Sequence, residues 1–407
     1  MRDLKHMIEF EELLRAANND LVKRACADGR LALAYNCSHV PEVLLDVDGC
    51  FGVRLRAPDC FSPDMATYYM TNRSCPYSKS ILERAFEGGY NFIAALLGQE
   101  CCTTMNRMEQ YFEYCDLIPN EKFFVSCLDM PINRSEWHEG YYERQIRQKI
   151  TEPLERVYGV DFSDEKLLAA IERHNEVCRI ITEMGELRKA ENPVITGYEF
   201  HVIQLCTLTC PKDLLLPLLR ETLEELKARE PDPRPSYRAR VMVVGSEIDD
   251  PEFTKMLEMC GAYVCADRYC FGSMPGREGI EVREGEAPLH AIARYYLWNN
   301  HCPRAMGPQA LKERKRYVYQ KAREFGAEGV IVESMKFCEY WGYERAQDAM
   351  WLTEGYEVPG TLPVCQIERD YTTAAAGQLR TRFQAFVESL EIKRIQGALD
   401  VKEVQPV

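Results

Sequence analysis

The chain has 407 residues, which predicts about two domains, and 46% of them are hydrophobic, as in globular proteins. The 50 Lys and Arg residues against 64 Asp and Glu give a formal net charge of −14, so the basic surface needed to bind DNA or RNA is missing. No stretch reaches about 18 uninterrupted apolar residues, and residues 1–10 lack the apolar core of a secretion signal. We therefore expect a cytoplasmic protein with neither nucleic acid nor membrane as a partner.

The N-terminal third alternates short apolar strands with helices, a pattern typical of α/β folds. Residues 1–28 are predicted to be helical. Proline at position 41 is tolerated in the first turn of a helix, and Gly88 with Gly89 predicts the end of another. Strands are predicted at 31–35, 52–55 and 122–128, a strand or buried helix at 90–97, and helices from Pro41, at 76–86 and at 103–114.

Residues 139–230 have charged helical periodicity, which predicts a helical connector. The segment 230–235 contains three prolines and is the clearest linker in the sequence. A second α/β unit follows, with strands predicted at 240–245, 262–267, 329–333 and 362–367, and helices at 287–297, 308–325 and 377–392.

These elements predict an α/β fold of two Rossmann-like lobes, each a parallel sheet flanked by helices, joined by the helical connector. We expect an N-terminal lobe at 1–138 with its leading helix, the connector at 139–235 and a C-terminal lobe at 236–407.

The sequence contains 18 cysteines, a high number for a cytoplasmic protein. A disulfide scaffold is not expected without a secretion signal. No C-x2-C pair occurs, so the usual structural zinc spacings and the closely spaced ferredoxin motif are both missing. Two interpretations remain, namely ordinary buried thiols or a metal cluster whose ligands come from distant segments.

Cys75, Cys102 and Cys338 each lie where a predicted strand gives way to a helix. Loops at the carboxyl ends of parallel strands are where ligands bind, and a helix N-terminus there offers unpaired N–H groups to an anion. A thiol is a poor helix cap, so local helix stability does not explain these positions. Singly each cysteine fits a packing role, whereas three at equivalent junctions are harder to explain by packing and could hold an iron–sulfur cluster in the cleft between the lobes.

Several segments resemble the benzoyl-CoA reductase / 2-hydroxyacyl-CoA dehydratase subunit family. They are Ser74-Cys75-Pro76-Tyr77 with Ser80-Ile81-Leu82-Glu83, then Cys102, Met335-Lys336-Phe337-Cys338, and 377–386, which begins Gly-Gln-Leu-Arg. The resemblance implies that Cys75, Cys102 and Cys338 bind a [4Fe–4S] cluster, and that the chain is a subunit of an (R)-2-hydroxyacyl-CoA dehydratase. Such enzymes remove water through a ketyl radical after one-electron reduction of the thioester.

The resemblance also implies partners: a homologous sister subunit or a second copy of this chain, an acyl-CoA substrate, and an ATP-hydrolysing iron–sulfur activator. The ATP chemistry is expected in another protein because the sequence has no Walker A pattern. Ser38 matches a substrate-facing position and is the catalytic candidate, although an ST-turn ahead of a helix explains it equally well. Arg54 and Arg56 are candidates for contact with the coenzyme A phosphates.

Two alternatives stay open at this point. One is reduction of an aromatic acyl-CoA by a benzoyl-CoA reductase type of enzyme. The other is a double-cubane [8Fe–9S] protein that reduces small molecules, for which Cys37, Cys270 and Cys302 are the candidate ligands of a second cluster. The C-x-C pair expected for that branch near position 302 is a single cysteine here, and Cys270 and Cys302 could instead be structural.

Overall fold

The computed structural model describes residues 2–100, 102–274, 277–356, 358–371 and 376–397. Within these residues, eight strands form two separate sheets of four strands each, and every strand pairing is parallel. The predicted α/β class with two Rossmann-like lobes is confirmed. The predicted division of the chain at residues 138 and 235 stays a prediction.

The first sheet has the order β2-β1-β3-β4. Its strands are β1 (Leu31–Tyr35), β2 (Cys50–Arg54), β3 (Ile93–Gln99) and β4 (Phe124–Leu128). The helices of this lobe are α1 (Met7–Leu13), α2 (Asp20–Ala27), α3 (Asp64–Tyr69), α4 (Pro76–Phe86) and α5 (Thr103–Tyr114), with a 3-10 turn at Glu42–Asp46. All of β3 is buried, as expected for a parallel strand covered on both faces.

Helices fill the segment between the sheets, as the charged periodicity predicted. They are α6 (Glu136–Ile146), α7 (Glu152–Tyr158), α8 (Asp164–Glu186), α9 (Gly197–Thr209) and α10 (Lys212–Ala228), with a π turn at Arg147–Thr151 and a 3-10 turn at Leu187–Lys189. Helix α9 begins with a capping box, in which Thr196 and Glu199 each bind the other's backbone N–H.

The second sheet has the order β6-β5-β7-β8. Its strands are β5 (Ala239–Gly245), β6 (Ala262–Tyr269), β7 (Gly329–Met335) and β8 (Val364–Arg369). Its helices are α11 (Pro251–Met259), α12 (Pro288–Trp298), α13 (Pro308–Glu324), α14 (Glu339–Glu354) and α15 (Ala376–Ile395). In the described part of the chain no helix is long and apolar enough to cross a membrane.

The single helix predicted for residues 1–28 is the main error of the sequence interpretation at this level. The structure has two helices, α1 and α2, and the second is capped by Asn19, whose side chain accepts the Val22 N–H. Asn19 is a strong N-cap residue, so the break follows from local capping. The segment 90–97, left open between strand and helix, contributes to strand β3.

One hydrophobic core crosses the boundaries between the two lobes and the connector. A single cluster of buried side chains includes Leu96 of β3, Ile181 of α8 and Val243 of β5. This shared core holds the carboxyl ends of the two sheets against one another, where the candidate site is found.

Candidate metal-cluster site

A cavity of about 600 Å³ lies between the two lobes. Its walls come from loops that follow β1 and β3 in the first sheet and β5, β6 and β7 in the second. In both sheets the chain reverses its direction of winding at this place, between β1 and β3 and between β5 and β7. Such reversal points at the carboxyl ends of parallel strands are the usual ligand sites of open α/β sheets.

Cys75, Cys102 and Cys338 all line this cavity, and each occupies the N-cap position of a helix, α4, α5 and α14 respectively. The Met105 N–H donates to the Cys102 sulfur at 3.4 Å. Cys75 and Cys338 make no such cap hydrogen bond, although the backbone N–H groups of Ser78 and Trp341 favour their thiolate forms. In each case this N–H group lies three residues after the cysteine, in the first turn of the helix.

The backbone before Cys338 has an unusual conformation. Phe337 has a φ of 62° and is one of two residues other than glycine with positive φ in the described part of the chain. A left-handed phenylalanine is strained, and such strain is concentrated at functional sites. Here it turns the chain sharply between the end of β7 and the start of α14, so that Cys338 lies on the cavity wall.

Three further cysteines line the same cavity. Cys37 follows β1, Cys270 follows β6, and Cys302 lies in the loop after α12. These thiols are close enough to interact electrostatically: after burial and Glu247, Cys302 and Cys37 contribute to raising the pKa of Cys270. The three candidates for a second cluster are therefore brought together beside the first three. All six cysteines named from the sequence as candidate ligands line one cavity: Cys37, Cys75, Cys102, Cys270, Cys302 and Cys338.

Burial controls the protonation of these thiols. It raises the pKa of Cys75 and of Cys302 to about 12, and that of Cys338 well above its usual range. Without a nearby cation the thiols are neutral at pH 7, so metal binding must displace their protons. Sulfur is a soft donor, which suits an iron–sulfur cluster. Burial disfavours a free thiolate at these helix N-termini, so the negative charge is expected only when a metal is bound.

The described residues include no group of three His, Cys, Asp or Glu side chains arranged to hold one metal ion. The six thiols are instead distributed over the walls of a large cavity. This arrangement is compatible with a cluster, because each cysteine then binds a different iron atom.

Glu247 is a cavity residue that the sequence interpretation missed. It follows β5 by two residues, lines the cavity, and has a buried Oε2 without a hydrogen-bond partner among the described residues. Burial raises its pKa to about 7. The available signal was its position just after the apolar strand predicted at 240–245, which places it at the same sheet edge as the cysteines.

Ser38 also lines the cavity, as expected of a substrate-facing residue, and is 6% exposed. Its neighbour His39 is buried, with Nδ1 3.0 Å from the Gln99 side chain. Burial lowers the pKa of His39 to about 3, so this imidazole is neutral at pH 7, with one ring nitrogen as a donor and the other as an acceptor.

The two arginines proposed for phosphate contacts differ in position. Arg54 lines the cavity, but its guanidinium donates to the Cys270 carbonyl at 2.5 Å and stacks on Phe271. Arg56 donates to the carbonyls of Asp249 and Leu14 and is 7% exposed. Both side chains are therefore buried, and each links separate segments of the chain through hydrogen bonds.

Comparison with known proteins gives a family match over most of the chain. The family model described as 2-hydroxyglutaryl-CoA dehydratase, D-component, matches residues 37–390. That span includes all six cavity cysteines and every strand except β1.

Three known relatives match at low identity over much of their length. The (R)-phenyllactyl-CoA dehydratase beta subunit of Clostridium sporogenes is 25% identical over 95% of this chain and 99% of the relative. The lactoyl-CoA dehydratase subunit beta of Anaerotignum propionicum is 22% identical over 89% and 92%. A benzoyl-CoA reductase subunit of Thauera aromatica is 21% identical over 76% and 79%.

Proposed function

The chain belongs to the 2-hydroxyglutaryl-CoA dehydratase D-component family, and we propose that it is the iron–sulfur subunit of an ATP-activated (R)-2-hydroxyacyl-CoA dehydratase. Membership confirms the resemblance seen in the sequence and the prediction of a dehydratase-type enzyme component, a hydro-lyase. The observation that carries the proposal is the convergence of Cys75, Cys102 and Cys338 on one cavity, each at a helix N-terminus.

These three cysteines would hold a [4Fe–4S] cluster. Bound there, the cluster would supply a one-electron donor and a Lewis acid for dehydration through a ketyl radical. The chain's own contribution is to position and shield. The N-terminal ends of α4, α5 and α14 would offset the negative charge of the thiolates, and both lobes contribute walls to the cavity.

Ser38 would contact the acyl substrate. Its hydroxyl lies on the cavity wall, and a hydroxyl can donate one hydrogen bond and accept two. Neutral His39 next to it cannot add a positive charge at pH 7. We therefore assign Ser38 to orienting the substrate's polar groups through neutral hydrogen bonds.

The partners we propose are a sister subunit, or a second copy of this chain, and a separate activator protein. The relatives in Clostridium sporogenes and Anaerotignum propionicum carry names of subunits, which supports a partner subunit. The activator is what the family resemblance implies, and the sequence has no Walker A pattern that would supply the ATP chemistry itself. The enzyme would work in the cytoplasm, where thiols stay reduced.

A second candidate function is the double-cubane reductase of small molecules. A specific observation favours it, namely that Cys37, Cys270 and Cys302 line the same cavity as the first three cysteines. Three thiols for each of two cubes would hold an [8Fe–9S] cluster. A dehydratase with one [4Fe–4S] cluster would leave these three cysteines as wall residues near the substrate.

Counting iron and sulfide in the anaerobically purified protein tests both functions. About four irons per chain supports the dehydratase subunit, about eight the double cubane, and none contradicts both. Changing Cys75, Cys102 or Cys338 to Ala should abolish the first cluster. Cys302→Ala should leave four irons if there is one cluster and should reduce eight irons if there are two.

Cys206→Ala is the matched control, because Cys206 is fully buried in α9 and lies outside the cavity. Its iron content should equal that of the wild type. Full iron content in all three variants of the first set would contradict the ligand assignment.

A further inference from the structure

A second cavity of about 460 Å³ lies between the connector and the second lobe, and we call it the side pocket. Its walls come from α8 and α9, the edge strand β6 and α13. It shares no lining residue with the cysteine cavity. Pockets of about 300–1,000 Å³ at boundaries between structural units are typical sites for small molecules.

Gln204 is the first sign that the side pocket is built for a ligand. It lines the pocket, is 0% exposed, and neither its amide oxygen nor its amide nitrogen has a hydrogen-bond partner among the described residues. An unsatisfied buried amide is costly and needs an explanation. A ligand with a donor and an acceptor side by side would satisfy both atoms.

Aromatic rings surround this amide. Phe200, Tyr317, Phe325 and His301 all line the side pocket. The rings of His301 and Tyr317 stack with centroids 4.1 Å apart, and Arg188 covers Phe200 at 3.7 Å. The buried His301 Nδ1 has no hydrogen-bond partner among the described residues. Such walls favour a flat ring system that carries polar atoms on its edge.

Arg277 supplies a positive charge at the same pocket. Its guanidinium donates to the Gly272 carbonyl at 3.1 Å, while its buried Nε has no hydrogen-bond partner, and no described carboxylate forms an ion pair with it. In contrast, Arg188 is paired with Asp267, and Arg179 with Glu183. In a chain with a formal net charge of −14, an arginine without an ion-pair partner is suited to bind a phosphate.

We propose that the side pocket binds an adenine nucleotide. The Gln204 amide would pair with the adjacent donor and acceptor on the purine edge, N6–H and N7, as glutamine does with adenine elsewhere. The aromatic walls would contact the faces of the base, and Arg277 would bind a phosphate. Both the ADP-like end of coenzyme A and free ADP or ATP carry this chemistry.

Arg277 also lines an internal space of about 10 Å³, together with Ser38 and Arg54 of the cysteine cavity. This space has room for one water molecule at most, so it is not a passage between the two cavities. It places Arg277 close to residues of the cysteine cavity, which is the reason to test coenzyme A as well as free nucleotides. The coenzyme A version of the inference rests on the proposed function, whereas nucleotide binding as such does not.

Isothermal titration calorimetry of the anaerobic holoprotein with ADP, ATP, GTP and coenzyme A tests the inference. We expect one adenine nucleotide per chain, and competition between ADP and coenzyme A if the pocket holds the substrate's nucleotide end. Binding of ADP without competition from coenzyme A identifies a site for free nucleotide. GTP bound as tightly as ATP, or no binding of any adenine compound at millimolar concentration, overturns the proposal.

Two variants locate the binding. Gln204→Leu keeps the side-chain size and should weaken ADP binding at least tenfold, without lowering the unfolding midpoint, because it removes an unsatisfied buried amide. Arg277→Met should weaken ADP binding but leave adenosine binding unchanged. Gln384→Leu on the exposed face of α15 is the control, and unchanged ADP affinity in Gln204→Leu overturns the assignment.

Iron content measured on the same samples separates this inference from the proposed function. Nucleotide binding that depends on Gln204 in a protein with no iron supports the side pocket and contradicts the cluster. Normal iron content without nucleotide binding supports the cluster and contradicts the side pocket as a nucleotide site.

Discussion

His201 is a buried histidine that couples the stability of the fold to pH. Its Nδ1 lies 2.8 Å from Thr254 Oγ1 and its Nε2 lies 3.2 Å from the Ile248 carbonyl. Burial lowers its pKa to about 3, with Asp267 opposing and Arg56 and Arg188 adding to the shift. Below about pH 6.5, His201 therefore binds a proton in the unfolded chain but not in the folded chain. Stability from this residue is complete above pH 6.5 and is lost as the pH falls towards 3.

We expect His201 to lower the free energy of unfolding by about 2 kcal/mol between pH 7 and pH 5, following the linkage relation. Replacement by glutamine should remove that part of the pH dependence, although it also weakens the fold. Urea unfolding of the wild type and His201→Gln at both pH values, under nitrogen, measures the difference.

Gln384→Leu, on the exposed face of α15, is the control, because it changes no titratable group. Its unfolding should keep the pH dependence of the wild type. Equal pH dependence in the wild type and His201→Gln would show that the imidazole is not held neutral in the folded state.

The cysteine positions could be predicted because the signal is local. Each of Cys75, Cys102 and Cys338 stands between an apolar run and a helical pattern, and all three are found at N-caps. Glu247 was missed because its position after the strand predicted at 240–245 indicates the sheet edge but not its burial, which depends on tertiary packing. The φ of Phe337 and the unsatisfied amide of Gln204 are likewise consequences of tertiary packing.

At the scale of elements, the start of α5 combines a capping role with the proposed ligand role. The Cys102 sulfur accepts the Met105 N–H at 3.4 Å, a longer and weaker cap than a serine hydroxyl would make. The two roles make different demands, because a helix prefers oxygen at this position and iron prefers sulfur. The choice of cysteine therefore favours the cluster at some cost to the helix.

Changing Cys102 separates the two roles. In the protein stripped of metal, Cys102→Ser should unfold at the same urea concentration as the wild type or a higher one. Cys102→Ala should lose less than about 1 kcal/mol, because the sulfur cap is weaker than the oxygen caps whose removal costs that much. Both variants should bind less iron than the wild type. Full iron in Cys102→Ser together with a lower unfolding midpoint would indicate that neither role has been assigned correctly.

Helix α14, whose N-cap is Cys338, is fixed to its neighbours by buried charges. Glu344 of α14 lies 3.1 Å from Arg314 and 3.0 Å from Lys315, both on α13, and 3.3 Å from Arg268 of β6. Lys315 also pairs with Asp348 at 2.7 Å. All of these side chains are buried, so each charge depends on its partners.

Replacing Glu344 by Gln leaves the three cations with only Asp348 as a counter-charge. We expect a loss of about 3–5 kcal/mol in the free energy of unfolding, as for other broken buried ion pairs. Urea unfolding measures it. Glu12→Gln, which breaks the exposed pair with Arg15, should change stability by less than about 1 kcal/mol. A loss of similar size in both variants would contradict the structural role of the buried network.

The sequence predicted which helices and strands form more accurately than it predicted where they end. Helices α4 and α5 begin and end where the capping and periodicity signals predicted, while β6 and β7 run two residues beyond the predicted strands. Those added residues, such as Tyr269 and Met335, are held by strand pairing, which depends on neighbours distant in sequence. The strand ends matter because the loops after them form the cavity.

At the scale of the whole molecule, the two lobes must hold a fixed spacing if cysteines from both are to share one cluster. Buried hydrogen bonds between the lobes provide that rigidity. The Ala57 N–H donates to the Tyr371 hydroxyl at 2.9 Å, and this hydroxyl donates to Asp249 at 2.6 Å. Arg56 donates to the Asp249 carbonyl from Nε at 2.8 Å and from Nη2 at 2.5 Å, and to Leu14 at 3.1 Å.

Arg56→Met tests whether this brace supports the cluster from outside the cavity. The variant keeps an apolar stem but leaves two buried carbonyls with fewer donors, which should cost about 2–3 kcal/mol of stability. Asp249 lies two residues after Glu247, so the loop at the cavity wall should loosen as well. We therefore expect the variant to be purified with normal iron but to release it to a chelator several-fold faster than the wild type.

Arg15→Met, at an exposed ion pair, should release iron at the wild-type rate. Unchanged release from Arg56→Met, despite a lower unfolding midpoint, would mean that each lobe retains its ligands independently and that the spacing of the lobes does not control cluster retention.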